Sequence, residues 1–303
     1  MNLVSIISVN YNHSHVTEEF LEAFYHTNNY LQFEIIIVDN GSLINPIPGW
    51  IIKYPEVQFI RSAFNLGFAA GNNLGIENAK GDFYFLVNND TEFTPGLIQS
   101  LLVTLQENPK TAMVSPKIRY FQDKSIIQYA GYSEMNYYTA RNTCIGQFET
   151  DIGQYGIGSQ ITGFGHGAAM MVTKMAIESV GLMRENYFLY FEELDWAARM
   201  KKQGFEIRIN FQALIYHKES MSVGANSSLK AYFMNRNRIL FIRQNATIGQ
   251  KVIFYFHFVF IVMPRNIIKY LIDKQPIFIL ILIRAFIWNC THKKSSQILG
   301  YKL

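Results

Sequence analysis

Residues 83–91 read FYFLVNNDT, a run of five apolar residues followed by two asparagines, an aspartate and a threonine. A short, uninterrupted apolar run is typical of a β-strand that is buried on both faces. The polar residues after it would lie in the loop at the carboxyl end of that strand, where α/β proteins gather their chemistry. The stretch therefore predicts a buried strand at 83–87 that presents Asp90 at the edge of a sheet.

The residues before this stretch repeat the same arrangement. Strands are predicted at 3–9, 34–38 and 57–60, and helices at 15–27 and 68–79. Repeated strand–helix–strand order predicts an α/β fold, Rossmann-like, in which a mostly parallel sheet is flanked by helices. Polar clusters after the strands would then converge on one crevice.

The residues after it are less regular. A helix at 96–107 and a strand at 112–119 are followed by the Tyr-, Gly- and Gln-rich stretch 120–162, which we expect to form loops around an acceptor cleft. A helix at 192–203 closes with Gly204, and a strand at 206–216 ends before His217.

Two of the polar clusters have a structural as well as a functional interpretation. Asp39 follows a hydrophobic strand and precedes Gly41, which suits either a ligand contact or an Asx-turn. The stretch 65–73, NLGFAAGNN, opens a helix with small residues. Its backbone amides can face a diphosphate, or the small residues can serve close helix–sheet packing.

Five motifs in this order resemble the family-2 glycosyltransferases of the GT-A fold, and their spacing resembles the rhamnosyltransferase-like branch in particular. The motifs are VNYN (9–12), VDNGS (38–42), NLGFAAGNN (65–73), NNDT (88–91) and FEELDW (191–196). The resemblance covers residues 1–245. It implies a GT-A nucleotide-diphospho-sugar transferase domain that transfers a sugar with inversion of configuration, from a dTDP or UDP donor with rhamnose as the leading sugar. The acceptor would be a lipid-linked or polysaccharide glycan.

The resemblance also implies a donor site and a divalent metal, Mg or Mn. Asp39 would contact the nucleotide base, and Asp90 and His217 would ligate the metal that holds the diphosphate. Asn88 stands where the family's DxD signature has its first aspartate. The predicted donor-binding residues are Asn10, Asn12, Asp39, Asn65, Gly67, Asn72, Asn88, Asn89 and Asp90.

Inversion requires a base that takes the proton of the acceptor hydroxyl as it attacks. The family has a Glu-Asp pair whose second member is that base, and this chain has Glu192-Glu193, so the resemblance nominates Glu193. On a helix, Glu192 shares a face with Asp195 and Arg199, and Glu193 points about 100° away. Asp195 and Arg199 can equally form a structural pair. The predicted acceptor-binding residues are His166, Gly167, Glu192, Asp195 and Trp196.

The tail, residues 246–303, changes character. Its apolar runs, 252–263 and 277–283, are interrupted by Pro264-Arg265 and by residues 273–276. Neither run reaches the roughly 20 residues that cross a bilayer, so we expect a helical tail that associates with a membrane surface. A buried helical pair or a partner interface is the alternative.

Composition agrees with a peripheral protein at the cytoplasmic face of the cell membrane. The chain has 24 Phe, 18 Tyr and a formal net charge of +4, which suits an anionic small molecule or an acidic leaflet. Lys and Arg are not clustered densely enough to indicate nucleic acid. Two distant cysteines indicate neither a disulfide framework nor a zinc site.

Rival functions are a nucleotidyltransferase and a non-catalytic partner that binds nucleotide sugars. The first would need cationic residues for a triphosphate near 10–13, which reads NYNH. The second is conceivable because the first aspartate of the signature is missing. A dehydrogenase is disfavoured, since no G-x-G-x-x-G follows the first strand.

Overall fold

The computed structural model describes residues 2–218 and 227–302, and these form one large sheet with helices on both faces. The strands are β1 (Val4–Asn10), β2 (Phe33–Asp39), β3 (Gln58–Arg61), β4 (Phe83–Val87), β5 (Thr91–Phe93), β6 (Thr111–Tyr120), β7 (Ile127–Tyr129), β8 (Ser159–Ile161), β9 (Ala169–Thr173) and β10 (Glu206–His217). The helices are α1 (Ser14–Thr27), α2 (Ile47–Lys53), α3 (Gly67–Glu77), α4 (Leu97–Glu107), α5 (Lys174–Val180), α6 (Glu192–Lys202), α7 (Ser228–Asn245), α8 (Ile248–His257), α9 (Met263–Ile272) and α10 (Ile277–Thr291).

The sheet runs in the order β3-β2-β1-β4-β9-β6-β10-β5. Strands β3, β2, β1 and β4 are parallel, as the strand–helix alternation predicts. Strand β9 is antiparallel to both β4 and β6, and β6 and β10 are again parallel to each other. The sheet is therefore mixed: its first half is wholly parallel, and β9 enters the second half in the opposite direction.

Alternation along the parallel strands supplies a core on each face of the sheet. Ile6 packs with α1 and α4 on one face, and the next residue, Ile7, packs with α3 and α6 on the other. Because successive side chains of a strand point to opposite faces, a continuous apolar run is what a sheet covered by helices on both sides requires.

The register brings the predicted polar clusters to one edge. Asn10 pairs with Asp39 across β1 and β2, and Asp39 pairs with Arg61 across β2 and β3. The backbone N–H of Asn88, just after β4, donates to the carbonyl of Ala168, just before β9. Sequence-distant loops therefore share one surface at the carboxyl ends of the parallel strands.

The tail packs on α7 rather than standing apart. Buried residues of α7, of the 248–272 segment and of α10 share one hydrophobic cluster, which includes Leu240, Phe258 and Trp288. The boundary predicted between residues 245 and 246 falls at the end of α7.

The prediction that neither apolar run is long enough to cross a membrane is wrong for the first run. Residues Ile248–Ile272 form one continuous helix of 25 residues, long and apolar enough to span a bilayer by length and composition. Pro264 does not end it, and the helix makes a π-helical turn, Phe258–Val262, that ends two residues before the proline. Such a turn changes the backbone hydrogen-bonding pattern at the place where a proline removes a donor. A core helix passes the same test when it is mostly buried, but only 17% of this helix's most apolar window is buried.

Candidate active site

One chain of hydrogen bonds joins the ends of strands β4, β1 and β2. The Asn89 side chain donates to Thr17 Oγ1 at 2.8 Å, and Thr17 Oγ1 donates to Asn10 Oδ1 at 3.1 Å. Asn10 Nδ2 in turn donates to Asp39 Oδ1 at 2.8 Å. Three predicted donor residues are therefore brought together, with Thr17 of α1 as the link between them.

Asp39 is buried and already neutralised by a cation. Its Oδ2 lies 3.2 Å from Arg61 Nη1, and the same guanidinium donates to the carbonyl of Ser42 at 2.8 Å. Ser42 Oγ accepts from the Asn12 backbone N–H at 2.8 Å, which joins the β1 and β2 loops. The Asp39 carboxylate is thus held in place, with Arg61 as its counter-ion.

The start of α3 is held by protein groups. The N–H of Leu66 donates to Asn40 Oδ1 and that of Gly67 to Asn65 Oδ1, each at 2.9 Å. The N–H of Phe68 donates to the carbonyl of Phe188 at 2.7 Å. These three amides, which the sequence offers to a diphosphate, are satisfied internally in this state.

Gly67 and Asn72 have structural roles at the same helix. Gly67 has φ +83°, and a Cβ there would lie 2.3 Å from the carbonyl oxygen of Phe188, so only glycine fits. The buried Asn72 side chain donates to the carbonyl of Phe68 at 2.9 Å, one turn earlier in its own helix.

Asp90 and His217 meet at the sheet edge, as predicted for a metal site. His217 Nε2 lies 3.2 Å from Asp90 Oδ1, and both side chains are more than nine-tenths buried. On the other side of the ring, His217 Nδ1 lies 2.9 Å from Oε1 of the buried Gln128. A proton on Nδ1, donated to Gln128, leaves the Nε2 lone pair facing the carboxylate, which is the arrangement a metal-ligating histidine needs.

The Asp90 and His217 side chains fit a divalent cation whose coordination shell is completed by other groups. Within residues 2–218 and 227–302 no three His, Cys, Asp or Glu side chains gather around one point. Asp90 and His217 supply one oxygen and one nitrogen, and Mg or Mn bound here would need oxygens from a diphosphate and water to fill its coordination shell. Asn88, in place of a carboxylate, is consistent with that two-ligand site.

His166 and Gly167 lie between the Asp90–His217 pair and α6. The His166 and His217 rings are 6.2 Å apart, edge to face. His166 Nδ1 accepts from the Ala168 N–H at 3.0 Å, which leaves the proton on Nε2. Burial, and then the neighbouring His217, lower the pKa of His166 to about 3, so this ring is a neutral hydrogen-bond donor.

The two glutamates at the start of α6 lie beyond Gly167. A Cβ on Gly167 would be 3.9 Å from Glu193 Oε1, which places that carboxylate against the glycine turn. Burial raises the pKa of Glu193 to about 7, and burial together with the Glu193 charge raises the pKa of Glu192 well above its usual range. One Oε2 atom of each residue is buried without a hydrogen-bond partner in the described structure.

Asp195 and Trp196 are placed in the interior. Asp195 is wholly buried and paired with Arg184 at 2.8 Å and Arg199 at 3.0 Å. The Trp196 ring is fully buried, and its Nε1 donates to the carbonyl of Gly181 at 2.9 Å. This burial argues against the acceptor contacts predicted for both, and it assigns Asp195 the structural pairing with Arg199 that was the alternative.

The loop that leads into α6 is strained. Phe188, Tyr190 and Phe191 have φ of 65°, 68° and 77°, a region that residues with bulky side chains rarely occupy. The Asn237 side-chain amide on α7 donates to three carbonyls of this loop, those of Tyr187, Leu189 and Tyr190, at 2.8 to 2.9 Å. A side chain 44 positions after Glu193 in the numbering thus fixes the entry to the helix that carries the two glutamates.

The sequence analysis did not identify several residues of the site. Arg61 stands at the end of a strand, where the rule that located Asp39 and Asp90 would also have found it. Thr17, Gln128 and Asn237 have no such signal, because their roles depend on contacts between residues 7 to 89 positions apart.

Comparison with known proteins gives a family match and relatives that cover most of the chain. The sequence model of glycosyl transferase family 2 matches residues 5–171. Hexosyltransferase Agl10 of low-salt glycan biosynthesis in Haloferax volcanii is 24% identical over 245 residues, which cover 78% of this chain and 74% of that protein. The N-acetylglucosaminyl-diphospho-decaprenol L-rhamnosyltransferase of Mycobacterium tuberculosis is 22% identical over 228 residues, 69% of this chain and 74% of that protein.

Two solved structures share the fold. TarS 1-349 of S. aureus in complex with UDP-GlcNAc superposes with a TM-score of 0.60 at 14% identity, over 95% of this chain and 81% of that one. The mannosyltransferase PcManGT of Pyrobaculum calidifontis, in complex with GDP-Man and Mn2+, has a TM-score of 0.56 at 14% identity, over 96% and 76%. With the family match, these likenesses identify the chain as a member of glycosyl transferase family 2, a glycosyltransferase of the GT-A fold.

Proposed function

We propose that the chain transfers a sugar from a nucleotide diphosphate to a glycan acceptor by a single inverting displacement, with Glu193 as the general base. The observation that carries this proposal is the Glu193 carboxylate at the Gly167 turn. His166, the residue before Gly167, lies edge to face with His217, which is the partner of Asp90. A carboxyl group with a pKa near 7 is divided between its two forms at neutral pH, which suits a group that accepts a proton during the reaction.

The donor would lie along the carboxyl ends of β1, β2 and β4. Asp39, held by Arg61 and Asn10, is proposed to face the base of a dTDP or UDP donor. The hydrogen-bonded chain that ends at Asp39 supports this surface, through Asn89, Thr17 and Asn10. Its border is proposed to include Asn12, Asn65 and Asn88. The UDP-GlcNAc complex of TarS and the rhamnosyltransferase name of a relative support this class of donor, with rhamnose as the proposed sugar.

Asp90 and His217 are proposed to hold Mg or Mn at the donor diphosphate. The metal would neutralise charge that develops on the leaving group. Gln128 keeps the His217 ring oriented for that bond, and the neutral His166 offers an Nε2 proton to an oxygen in the cleft between the metal and Glu193. PcManGT, which has the same fold, was crystallised with Mn2+.

The acceptor is proposed to enter between Gly167 and the start of α6, with His166 and Gly167 as its neighbours. Glu192 is only 3% exposed, so its burial argues against the acceptor contact predicted for it, as for Asp195 and Trp196. A glycan linked to a lipid is the proposed acceptor, since one relative is named for N-acetylglucosaminyl-diphospho-decaprenol. The outward apolar surface of helix Ile248–Ile272 supports a place at the cytoplasmic face of the membrane.

The experiment that tests this function is a screen of the purified full-length protein against a panel of nucleotide sugars, with and without Mn2+. We expect metal-dependent release of the nucleotide diphosphate from one donor class, and loss of that release in Glu193→Gln when acceptor is present. Saturable binding of a donor without turnover would instead favour a non-catalytic partner. Turnover that is unchanged in excess chelator would overturn the metal assignment.

A further inference from the structure

A group of basic side chains lies beside the acceptor side of the site and has no assigned role. We call Arg141, Arg238, Arg265 and His257 the basic cluster. Arg141 belongs to the loop after β7, Arg238 to α7, and the other two to helix Ile248–Ile272.

Aromatic contacts fix this cluster next to the catalytic helix. The Phe241 ring of α7 lies 5.7 Å from Tyr137 in the Arg141 loop and 6.0 Å from Phe191, the residue before Glu192. Arg238 precedes Phe241 by three positions and therefore lies one helical turn away on the same side of α7. Ala140, Ile239 and Phe258, the chain neighbours of Arg141, Arg238 and His257, pack in the same hydrophobic cluster as Phe191. The basic cluster therefore surrounds the packing contact that leads into α6.

The charges in the cluster repel one another. Burial lowers the pKa of Arg238, and Arg141 and Arg265 lower it further. The same three arginines act on the His257 ring. No carboxylate within residues 2–218 and 227–302 acts on Arg238, and its Nε and His257 Nδ1 are buried without a hydrogen-bond partner.

Such an arrangement is costly unless an anion completes it. A partly buried guanidinium that has neither a counter-ion nor a full set of acceptors loses hydration without compensation. Phosphate oxygens are well suited to arginine, because they accept paired N–H groups in its planar geometry. An anion between these arginines would accept a hydrogen bond from the unpartnered Arg238 Nε–H and relieve the repulsion.

The surroundings indicate that the anion is carried on a lipid. Phe256 and Phe260 of the same helix are each 64% exposed. Their ring centroids are 4.7 Å apart with the planes tilted by 43°, and Phe256 is the residue before His257. An apolar outward face next to an unpaired basic cluster matches a molecule with a phosphate head and a hydrocarbon chain.

We propose that Arg141, Arg238 and Arg265 bind the phosphate or diphosphate of a lipid-linked molecule at the membrane surface. This inference rests on the proposed function, because it places the lipid end of a glycan acceptor beside the packing contact between Phe241 and Phe191, the residue before Glu192. The phosphate can come from the acceptor's diphosphate linkage or from an anionic bilayer lipid, and the two sources share this chemistry.

The test measures binding of geranylgeranyl diphosphate to the full-length protein in a neutral detergent, by calorimetry. Arg141→Gln/Arg265→Gln removes two exposed charges, and Arg238→Gln removes the partly buried one. Lys251→Gln is the matched control, since it removes one charge from the same helix but lies near Lys202. We expect each cluster variant to weaken binding by about tenfold or more, as loss of a charge-assisted hydrogen bond does, and the control to leave it unchanged.

Two further measurements distinguish the two sources of the phosphate, and they distinguish failure of this inference from failure of the proposed function. Flotation with phosphatidylglycerol vesicles, compared with neutral phosphatidylcholine, assigns the site to a bilayer lipid if it shows the same arginine dependence as the diphosphate. Preference for geranylgeranyl diphosphate assigns it to the acceptor. Equal binding by the wild type, the cluster variants and the control overturns the proposal. Nucleotide-sugar turnover is measured in parallel, because its presence without arginine-dependent binding overturns this inference alone, whereas its absence in the wild type overturns the proposed function.

Discussion

The side-chain nitrogen of Asn237 lies 2.8 Å from the carbonyl oxygen of Tyr190, two residues before Glu192. The same amide also binds the carbonyls of Tyr187 and Leu189, so one side chain holds a loop with three left-handed residues. Strained conformations persist only where surrounding contacts over-determine them. We infer that Asn237 is a positioning residue for Glu193.

Replacing Asn237 by leucine should therefore affect turnover more than donor binding. We expect kcat to fall about 10²-fold, since a misplacement of about 1 Å can cost that much, with the donor KM nearly unchanged. Asn235→Leu is the control, because the Asn235 amide donates to the Ala231 carbonyl of its own helix and pairs with Tyr270, away from the loop that enters α6. Equal kcat losses in both variants, or a lower melting temperature at normal kcat, would reduce Asn237 to a purely structural role.

The Glu193 carboxyl should control the pH dependence of transfer. Its pKa of about 7 means that the base form is lost as pH falls, so kcat/KM should decline below that value. Glu193→Gln should lower the rate by about 10²–10⁴-fold with little change in donor affinity, and Glu193→Asp should recover part of the rate. Steady-state rates from pH 5 to 9 check this. A normal rate in Glu193→Gln with a dead Glu192→Gln would move the base to the neighbouring carboxyl.

Replacing Glu193 by glutamine should also stabilise the fold at alkaline pH. The Glu193 pKa is raised from 4.5 to about 7, so between these values the folded state binds more protons than the unfolded state. The free energy of unfolding contributed by Glu193 therefore falls as pH rises through this window. Glu193→Gln cannot ionise, and thermal melts should show it above the wild type at pH 8 with a smaller gap at pH 4. A lower melting temperature for the variant at pH 8 would mean that the charged carboxylate is well compensated.

Gln128 should affect metal affinity although it is not itself a proposed metal ligand. Its Oε1 holds His217 Nδ1 at 2.9 Å and so fixes the ring for a bond through Nε2. We expect Gln128→Leu to weaken Mn2+ binding, in the presence of the nucleotide diphosphate, by about 10–100-fold. Electron paramagnetic resonance titration of free Mn2+ measures this without turnover. Gln212→Leu, a change at an exposed glutamine of β10, is the control, and an unchanged Mn2+ affinity in Gln128→Leu would remove His217 from the metal site.

Gly167 should set how closely the acceptor approaches the base. An alanine Cβ there would lie 3.8 Å from Phe68 Cζ and 3.9 Å from Glu193 Oε1, which is ordinary van der Waals contact. We therefore expect Gly167→Ala to fold normally with a modest effect, and Gly167→Val to raise the acceptor KM several-fold at unchanged donor KM. A higher donor KM in Gly167→Val would place the donor, rather than the acceptor, at this turn.

The exposed aromatic residues of helix Ile248–Ile272 should anchor the protein to membranes. Phe256 and Phe260 lie outside the core. The double variant Phe256→Ser/Phe260→Ser should therefore change the free energy of unfolding in detergent by about 1 kcal/mol or less. We expect less protein to float with liposomes. Ile152→Ser/Ile157→Ser, at residues 81% and 84% exposed on another surface, is the control. Unchanged flotation of the Phe variant would favour a protein partner on this face.

The sequence by itself determined the parallel half of the sheet and the residues at its edge. Apolar runs that end in polar residues are local patterns, and the register of a parallel sheet then brings their ends together, as for Asn10 and Asp39. The helix predicted at 192–203 from the glycine that follows it is observed at Glu192–Lys202.

Only the tertiary structure decided which polar residues face the cleft and which are buried. Glu193 and Asp195 lie two positions apart, yet one reaches the Gly167 turn and the other is enclosed by Arg184 and Arg199. The same holds for the antiparallel entry of β9 and for the helix that continues through Pro264. These outcomes depend on long-range packing, which no local sequence pattern encodes, because the partner of each group is chosen by where distant segments meet.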